Sequence, residues 1–360
     1  MMPTCHIRLY REGDEAAILR LRADVFGDLD PVRLRPATWR WQFRRNPAGK
    51  AVCVLAEDRH RIVGQYAVIP TRFHVEGRET RFALSCDTMI HPDYRRQGLF
   101  TRLAHEVYRR IESDFGITTV WGFPNAVSLP GFTRRLDWHL ITTFPLRLVP
   151  LRPLAMVRSL FPLKMPHPKI PPADGSRHCA GAAEPIPGIH VEPIPPAAGF
   201  ETEFDALWER EQGLAPVIQV RDTTYLNWRY MDVPEFGYQA FAVRSSRRLL
   251  GYMVIRTLTI MGHFFGALTD VFPFPIQDPV TTRRLFRFAR DYLRAEGAEF
   301  MTCLLTAPDP SFFKSVGLRT VPGFLNPRKW HFGARFSPIE APLLSAPKNW
   351  YLTYGDTDMV

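Results

Sequence analysis

The chain is poor in the residues that staple a fold or hold a metal. Its 360 residues include five cysteines, Cys5, Cys53, Cys86, Cys179 and Cys303, odd in number, scattered and without a CxxC pair. That pattern argues for reduced thiols and against a disulfide framework or a zinc site. The eleven histidines form no HxxxH or HxH pair, so no local metal motif is expected. Long apolar runs are missing, and no stretch approaches a membrane span. Met1-Met2-Pro3-Thr4-Cys5 lacks the basic start and apolar run of a signal peptide. Together these absences lead to the expectation of a cytoplasmic chain with no metal and no transmembrane segment. A dense basic tract is also missing, although the net charge is +10. Such a charge fits a polyanionic ligand, nucleic acid or acidic lipid headgroups. No zinc-finger, RNP or helix-turn-helix pattern accompanies it, so nucleic acid is not expected as a partner.

What is present points to two domains with real cores, since 46% of the residues are apolar. The chain is organised around residues 85–103, SCDTMIHPDYRRQGLFTRL. Alternation from Leu84 to Ile90 predicts a buried strand. His91-Pro92-Asp93-Tyr94 then breaks it, because proline cannot extend a ladder. Leu99, Leu103 and Val107 fall on one helical face. The order is therefore strand, tight loop, helix N-terminus, with Gly98 at the junction. A helix N-terminus has unpartnered N–H groups and partial positive charge, and so suits an anion. Gly98 removes a Cβ where a phosphate would approach, and Arg95 and Arg96 add full charges. On these residues alone, an ordinary helix start with a solvated arginine pair is an equal reading.

The string H-P-x-Y-R-x-x-G-L-F-x-x-L after a strand closely resembles the acyl-CoA signature of the GNAT (GCN5-related N-acetyltransferase) superfamily, R/Q-x-x-G-x-G/A. Arg95 and Gly98 match it, and Phe100 stands where the family has Gly or Ala. Later, Asn125, Ser128, Phe132, Leu136 and Trp138 fit the family's N-x-x-A/S and F-Y-x-x-L-G-F pattern. There the tyrosine that often serves as general acid aligns with Thr133, and the glycine with Asp137. The resemblance implies an α/β (α+β) fold of mixed central sheets flanked by helices. It also implies acetyl-CoA, or another acyl-CoA, as co-substrate and a small-molecule or peptide amine as acceptor. The cofactor-binding residues it implies are Met89, Ile90, Arg95, Arg96, Gln97, Gly98, Leu99, Phe100 and Thr101. Near Met89 and Ile90 a backbone N–H would polarise the thioester carbonyl.

The second half of the sequence repeats the first. Trp41-x-Phe43-x-x-x-Pro47 recurs as Trp228-x-Tyr230-x-x-x-Pro234, and Val63-Gly64 recurs as Leu250-Gly251. Asp87, Gly116 and Pro130-x-Phe132 recur as Asp270, Gly297 and Pro310-x-Phe312. The offset falls slowly from 187 to 180 residues, as small loop deletions would produce. This predicts two tandem GNAT-like domains, 1–145 and 199–345, with a C-terminal tail at 346–360. Between the domains, 146–198 reads as linker, because thirteen prolines fall in 145–196. Within it, Leu151 to Met165 could be a short amphipathic piece. After its central strand the second copy has Phe272-Pro273-Phe274-Pro275-Ile276-Gln277-Asp278, with no glycine or arginine and with an acidic residue where a phosphate would sit. One cofactor site, in the first copy, is therefore expected.

For the chemistry, Asp87 is the candidate general base, with a structural strand residue as the alternative. Its twin Asp270 in the copy without the phosphate motif favours that alternative. His91 is a second candidate. Asn125 could bind a reacting group through water, or cap the following turn. The expected function is acyl-CoA-dependent N-acetyl transfer to an unidentified amine. A non-catalytic acyl-CoA-binding scaffold, or aminoacyl transfer of the peptidoglycan-branching type, are the alternatives.

Overall fold

The computed structural model describes residues 5–27, 31–152, 186–260, 263–306, 309, 311–323 and 329–357. The expected amphipathic piece lies outside the described residues, apart from Leu151 and Arg152, as do Cys179 and Pro310. The strands, in chain order, are β1 His6–Leu9, β2 Val52–Asp58, β3 Arg61–Val75, β4 Arg78–Ile90, β5 Val120–Gly122, β6 His139–Phe144, β7 Arg147–Pro150, β8 His190–Ile194, β9 Val217–Gln219, β10 Tyr238–Ser245, β11 Arg248–Ile260, β12 His263–Phe272, β13 Phe300–Cys303, β14 Arg319–Thr320, β15 Trp330–Arg335 and β16 Trp350–Tyr351. They form two sheets in two compact units, each with helices packed on it.

The first unit comprises Met1–Phe144, Ala215–Val220 and Arg328–Trp350. Its strand order is β1-β2-β3-β4-β5-β15-β6, with β9 added on β3 and β16 on β9. Along that order, and between β3 and β9, the pairings are antiparallel except β4 with β5. Helix α1 (Glu15–Phe26) spans the expected residues. Its Asp14 N-cap makes no capping bond and accepts instead from Arg8 and from the Arg11 N–H. The aromatic run at 38–43 is helical, as α2 (Pro36–Arg44), with Pro36 at its first position, where a missing N–H costs nothing. Helix α3 (Leu99–Phe115) ends at Gly116, whose φ of 65° is left-handed. Its apolar stripe Leu99, Leu103, Val107 and Ile111 is buried against Val54, Tyr66 and Val68 of the sheet. Alternate strand residues, such as Cys53, Leu55 and Ala67, are buried on the opposite face, the side of α1.

The second unit comprises Pro145–Leu214, Arg221–Pro327 and Tyr351–Val360. Read from the other end, its strand order is β8-β10-β11-β12-β13-β7-β14, with only β12 and β13 parallel. Strand for strand this repeats the first sheet. Helices α5 (Glu203–Glu211), α6 (Thr223–Tyr230) and α7 (Pro279–Ala295) occupy the chain positions of α1, α2 and α3, and α8 (Ser311–Ser315) follows as α4 (Leu129–Arg135) does in the first.

Two features differ from the sequence reading. The strand inserted next to last in each sheet comes from the other half of the sequence: β15 lies between β5 and β6, and β7 between β13 and β14. Thus 147–150 and 190–194, expected as linker, are strands of the second sheet. Prolines are tolerated there because Pro150 ends β7 and Pro193 lies on the edge strand β8. Likewise 346–360, expected as a tail, contributes β16 and a buried segment, Leu352 to Thr357.

Candidate functional site

Strand β4 carries the site. It pairs with β3 from Val75↔Arg78 to Gly64↔Ile90, but with β5 only at Ala83↔Val120 and Leu84↔Trp121. Past Leu84 the parallel strands part. Among the described residues, no strand pairs with the β5 side of residues 85–90. Such an edge can pair with an extended ligand. The β3–β4 register also slips between Gln65 and Ala67, which places Asp87 and Thr88 in a bulge. Asp87 there has φ 47°. Bulges of this kind re-aim side chains, and Asp87 points to α1, where its carboxylate is ion-paired with Arg22. Its backbone carbonyl accepts from Gln65 Nε2 at 3.0 Å. Met89 is buried and Ile90 half-buried at the strand end.

The following loop is pinned at both sides. The His91 N–H donates to Val63 O at 2.9 Å, and its Nδ1 accepts from the Asp93 N–H at 3.3 Å. Its Nε2 lies 2.9 Å from an Arg61 nitrogen. His91 is therefore a 9% exposed loop anchor. The Tyr94 hydroxyl donates to Asp58 at 2.6 Å, and that bond pushes its pKa above the ordinary phenol value. Arg95 donates to Ile90 O at 3.3 Å, and Gln97 to Asp93 O at 3.2 Å. Arg95 and Arg96 are exposed. Arg96 (φ 61°) and Gly98 (φ 74°) are both left-handed and turn the chain into α3. No side chain caps α3, and a Cβ on Gly98 would meet nothing within 4 Å. The first turn of α3 is thus left without a side-chain cap, and the exposed Arg95 and Arg96 precede it in the chain.

The remaining expected residues fall as follows. Leu99 is buried towards the core, so only its backbone N–H is available. The Phe100 ring packs 5.1 Å from Phe132 and 6.0 Å from Tyr66, centroid to centroid. It therefore faces the core, and the large residue in the signature's last position leaves the anion position clear. Thr101 is half-buried. Asn125 is a turn residue: its Oδ1 accepts from the Val127 and Ser128 N–H groups at 3.0 and 2.9 Å, and a lone exposed asparagine so engaged is a helix-entry cap. Thr133 donates back to Leu129 O at 3.1 Å. Asp137, which stands where the family pattern has glycine, has φ 55°, in the left-handed region that glycine adopts most readily.

The second unit closes both features that the first leaves open. Asp278 caps α7, accepting from the Val280 and Thr281 N–H groups at 2.7 and 3.0 Å. Its carboxylate sits where an anion would sit, held below its usual pKa by the Thr281 hydroxyl, which donates to it at 2.6 Å, and by those backbone bonds. Beyond the last β12–β13 pair, Leu268↔Cys303, the chain's own C-terminal segment fills the gap. Thr353 bridges Leu305, the Leu352 N–H donates to Thr306 Oγ1 at 2.8 Å, and the Tyr351 hydroxyl donates to Val271 O. Asp270 accepts from Tyr230, Tyr252 and Thr353 at 2.8, 3.0 and 3.0 Å. Arg221, fully buried, lies 3.5 Å from Asp270 and 2.8 Å from Asp356. The twin of Asp87 is thus a core polar residue. No sequence pattern announced this cluster, because its members lie up to 135 residues apart.

The first unit thus combines a strand that splays from its parallel neighbour with an arginine-flanked helix start that no side chain caps. Residues 6–141 match the family described as "Acetyltransferase (GNAT) domain". No curated protein matches the sequence. Among solved structures, the chain is similar to a conserved Enterococcus faecalis protein of unknown function described as a probable N-acyltransferase. The TM-score is 0.62 at 11% identity, over 94% of this chain and 74% of that one. A GCN5-related N-acetyltransferase from Anabaena variabilis gives 0.61 at 11% identity, over 95% and 75%. These likenesses are in the fold. Among the described residues no helix is long and apolar enough to cross a membrane, and no group of three or more His, Cys, Asp or Glu could hold a metal.

Proposed function

We propose that the chain is an acyl-CoA-dependent acyltransferase that moves an acetyl group from acetyl-CoA to an amine of a small molecule or peptide. The observation that carries this reading is the contrast between the two helix starts. The first copy leaves the N-terminus of α3 open beside Arg95 and Arg96, whereas the second fills the same position with Asp278. The residues fit the group: nothing stands within 4 Å of a Cβ on Gly98, and the first-turn N–H groups have no side-chain cap. Arg95, Arg96 and the N–H groups of Leu99, Phe100 and Thr101 would hold the pyrophosphate, with Gln97 beside them. The open edge of β4, up to Met89 and Ile90, would align the acyl arm and polarise its carbonyl through backbone N–H. When bound, acetyl-CoA supplies the activated acyl group.

Thermal melting of the full chain with acetyl-CoA, longer acyl-CoAs and free CoA tests the reading. A ligand at a hundred times its Kd should add about 2.7 kcal/mol of stability. Unchanged melting with all three would overturn it. Binding should saturate at one acyl-CoA per chain, because the second unit's helix start and strand gap are both occupied. Two equivalents by calorimetry would show that occupation to be displaceable.

Alignment carries more of the rate than any one titrating group, because Asp87 is already ion-paired with Arg22 and the Thr133 hydroxyl already donates to Leu129 O. Asp87→Asn is expected to slow transfer about tenfold, on the order of 1.4 kcal/mol. Loss of a general base costs roughly a hundredfold or more. The measurement is kcat/KM against pH for both proteins. A loss of several orders of magnitude, with disappearance of a pH limb, would make Asp87 the base.

A further inference from the structure

Helix α7 carries five arginines, Arg283, Arg284, Arg287, Arg290 and Arg294, that have no part in the reading above. Taken with its cap, the stretch 278–295 sets these five against Asp278 and Asp291, a net charge of +3. The equivalent stretch of the first unit, 98–115, is neutral: Arg102, Arg109 and Arg110 stand against Glu106, Glu112 and Asp114. On α3 the Glu106 carboxylate takes both Arg109, at 2.6 Å, and Arg110, at 3.0 Å. On α7 Asp291 takes Arg290 at 3.3 Å, and Asp278 is engaged in capping the helix start, where Arg283 helps hold it ionised.

The excess charge is gathered on one line. Arg283, Arg287, Arg290 and Arg294 follow at intervals of four, three and four residues. On a helix of about 3.6 residues per turn that is one arginine per turn, over about 16 Å. Arg284 flanks the row. Arg284, Arg287 and Arg294 are exposed, and Arg283 and Arg290 half-buried. The other side of the helix, with Leu285, Phe286, Ala289 and Leu293, is buried, so the row faces away from the core. Val280, 51% exposed, lies on the same side at the N-terminal end. The row does not help the helix to form, because like charges three and four residues apart oppose it. Each guanidinium is, however, a planar fork of donors that matches a carboxylate.

We propose that the outer face of α7 docks an acidic α-helix of a partner protein, one that presents a carboxylate on each turn. Charge complementarity selects the acidic partner. The spacing selects a helix, since acidic side chains at intervals of four, three and four meet the arginines in register. A bilayer would be met by charge alone, because the apolar face of α7 is spent on the core and Val280 is a single exposed apolar side chain. The inference does not depend on the acyl-CoA reading.

The test uses two labelled helical peptides of identical composition. One carries its glutamates on a single face at intervals of four, three and four, and the other spreads them around the helix. Fluorescence anisotropy with the full chain at low salt should show about tenfold tighter binding of the first, weakening as salt is added. Arg287→Glu combined with Arg294→Glu should erase that preference. The same change of charge on α3, Arg109→Glu combined with Arg110→Glu, should preserve it, with circular dichroism confirming that both variants are folded. Equal affinity of the parent for the two peptides, or no binding of the first, overturns the proposal without recourse to any variant. Equal losses in the two double variants reduce the row to bulk charge and overturn it too. Tighter binding to phosphatidylglycerol vesicles or to duplex DNA than to the first peptide, at the same ionic strength, would give the face to another polyanion and reject the acidic helix.

Discussion

Gly98→Glu is expected to abolish acyl-CoA binding while leaving the protein folded. A Cβ at this position has open space, so the substitution makes no clash. The φ of 74° costs a residue with a side chain roughly 1–2 kcal/mol, too little to unfold a domain of this size. The carboxylate, however, would lie at the start of α3, among the N–H groups that are to receive phosphate, and like charges there oppose each other. Gly98→Ala separates the two effects, because it carries the same backbone strain without the charge. Calorimetry should show a loss of at least a hundredfold for Gly98→Glu and only a modest one for Gly98→Ala. Tight binding by a folded Gly98→Glu would place the cofactor elsewhere.

The largest effect on stability is expected at the C-terminal segment. Asp356→Ala leaves the guanidinium of Arg221, with no exposed side-chain surface, short of a carboxylate at 2.8 Å. It also removes the acceptor of the Thr353 N–H at 2.7 Å. Breaking one side of a buried ion pair costs about 3–5 kcal/mol, because the remaining charge cannot reach water. In a unit of this size the melting temperature should fall on the order of 10 °C. Urea denaturation gives the free energy directly. A cost below about 1 kcal/mol would mean that the cluster around Arg221 is a consequence of the fold and contributes little to holding it.

The strand, loop and helix at 84–115 were legible because all their signals are local: alternation, a proline stop, a glycine turn and a stripe of apolar residues. The repeat was legible because Trp41 and Trp228 lie in α2 and α6, and Asp87 lies in the β4 bulge while Asp270 flanks the β12 one. The exchange of β7 and β15 was not. A period-two pattern marks a strand but does not say which sheet receives it. The ion pair of Asp87 with Arg22 needs a bulge to aim it. Asn125 was half legible, since its two readings differ only in what its side chain meets.

The exchanged strands bear on how the chain can be divided. A polypeptide ending between 153 and 185 carries β7 but lacks the strand that belongs between its own β5 and β6. The complementary polypeptide carries β15 but lacks the one between β13 and β14. Each alone would present an unfilled slot of backbone donors and acceptors to the other's spare strand. Co-expressed, the pieces can complete one another by mutual donation, so the chain is a natural candidate for a split protein whose fragments acquire structure only together.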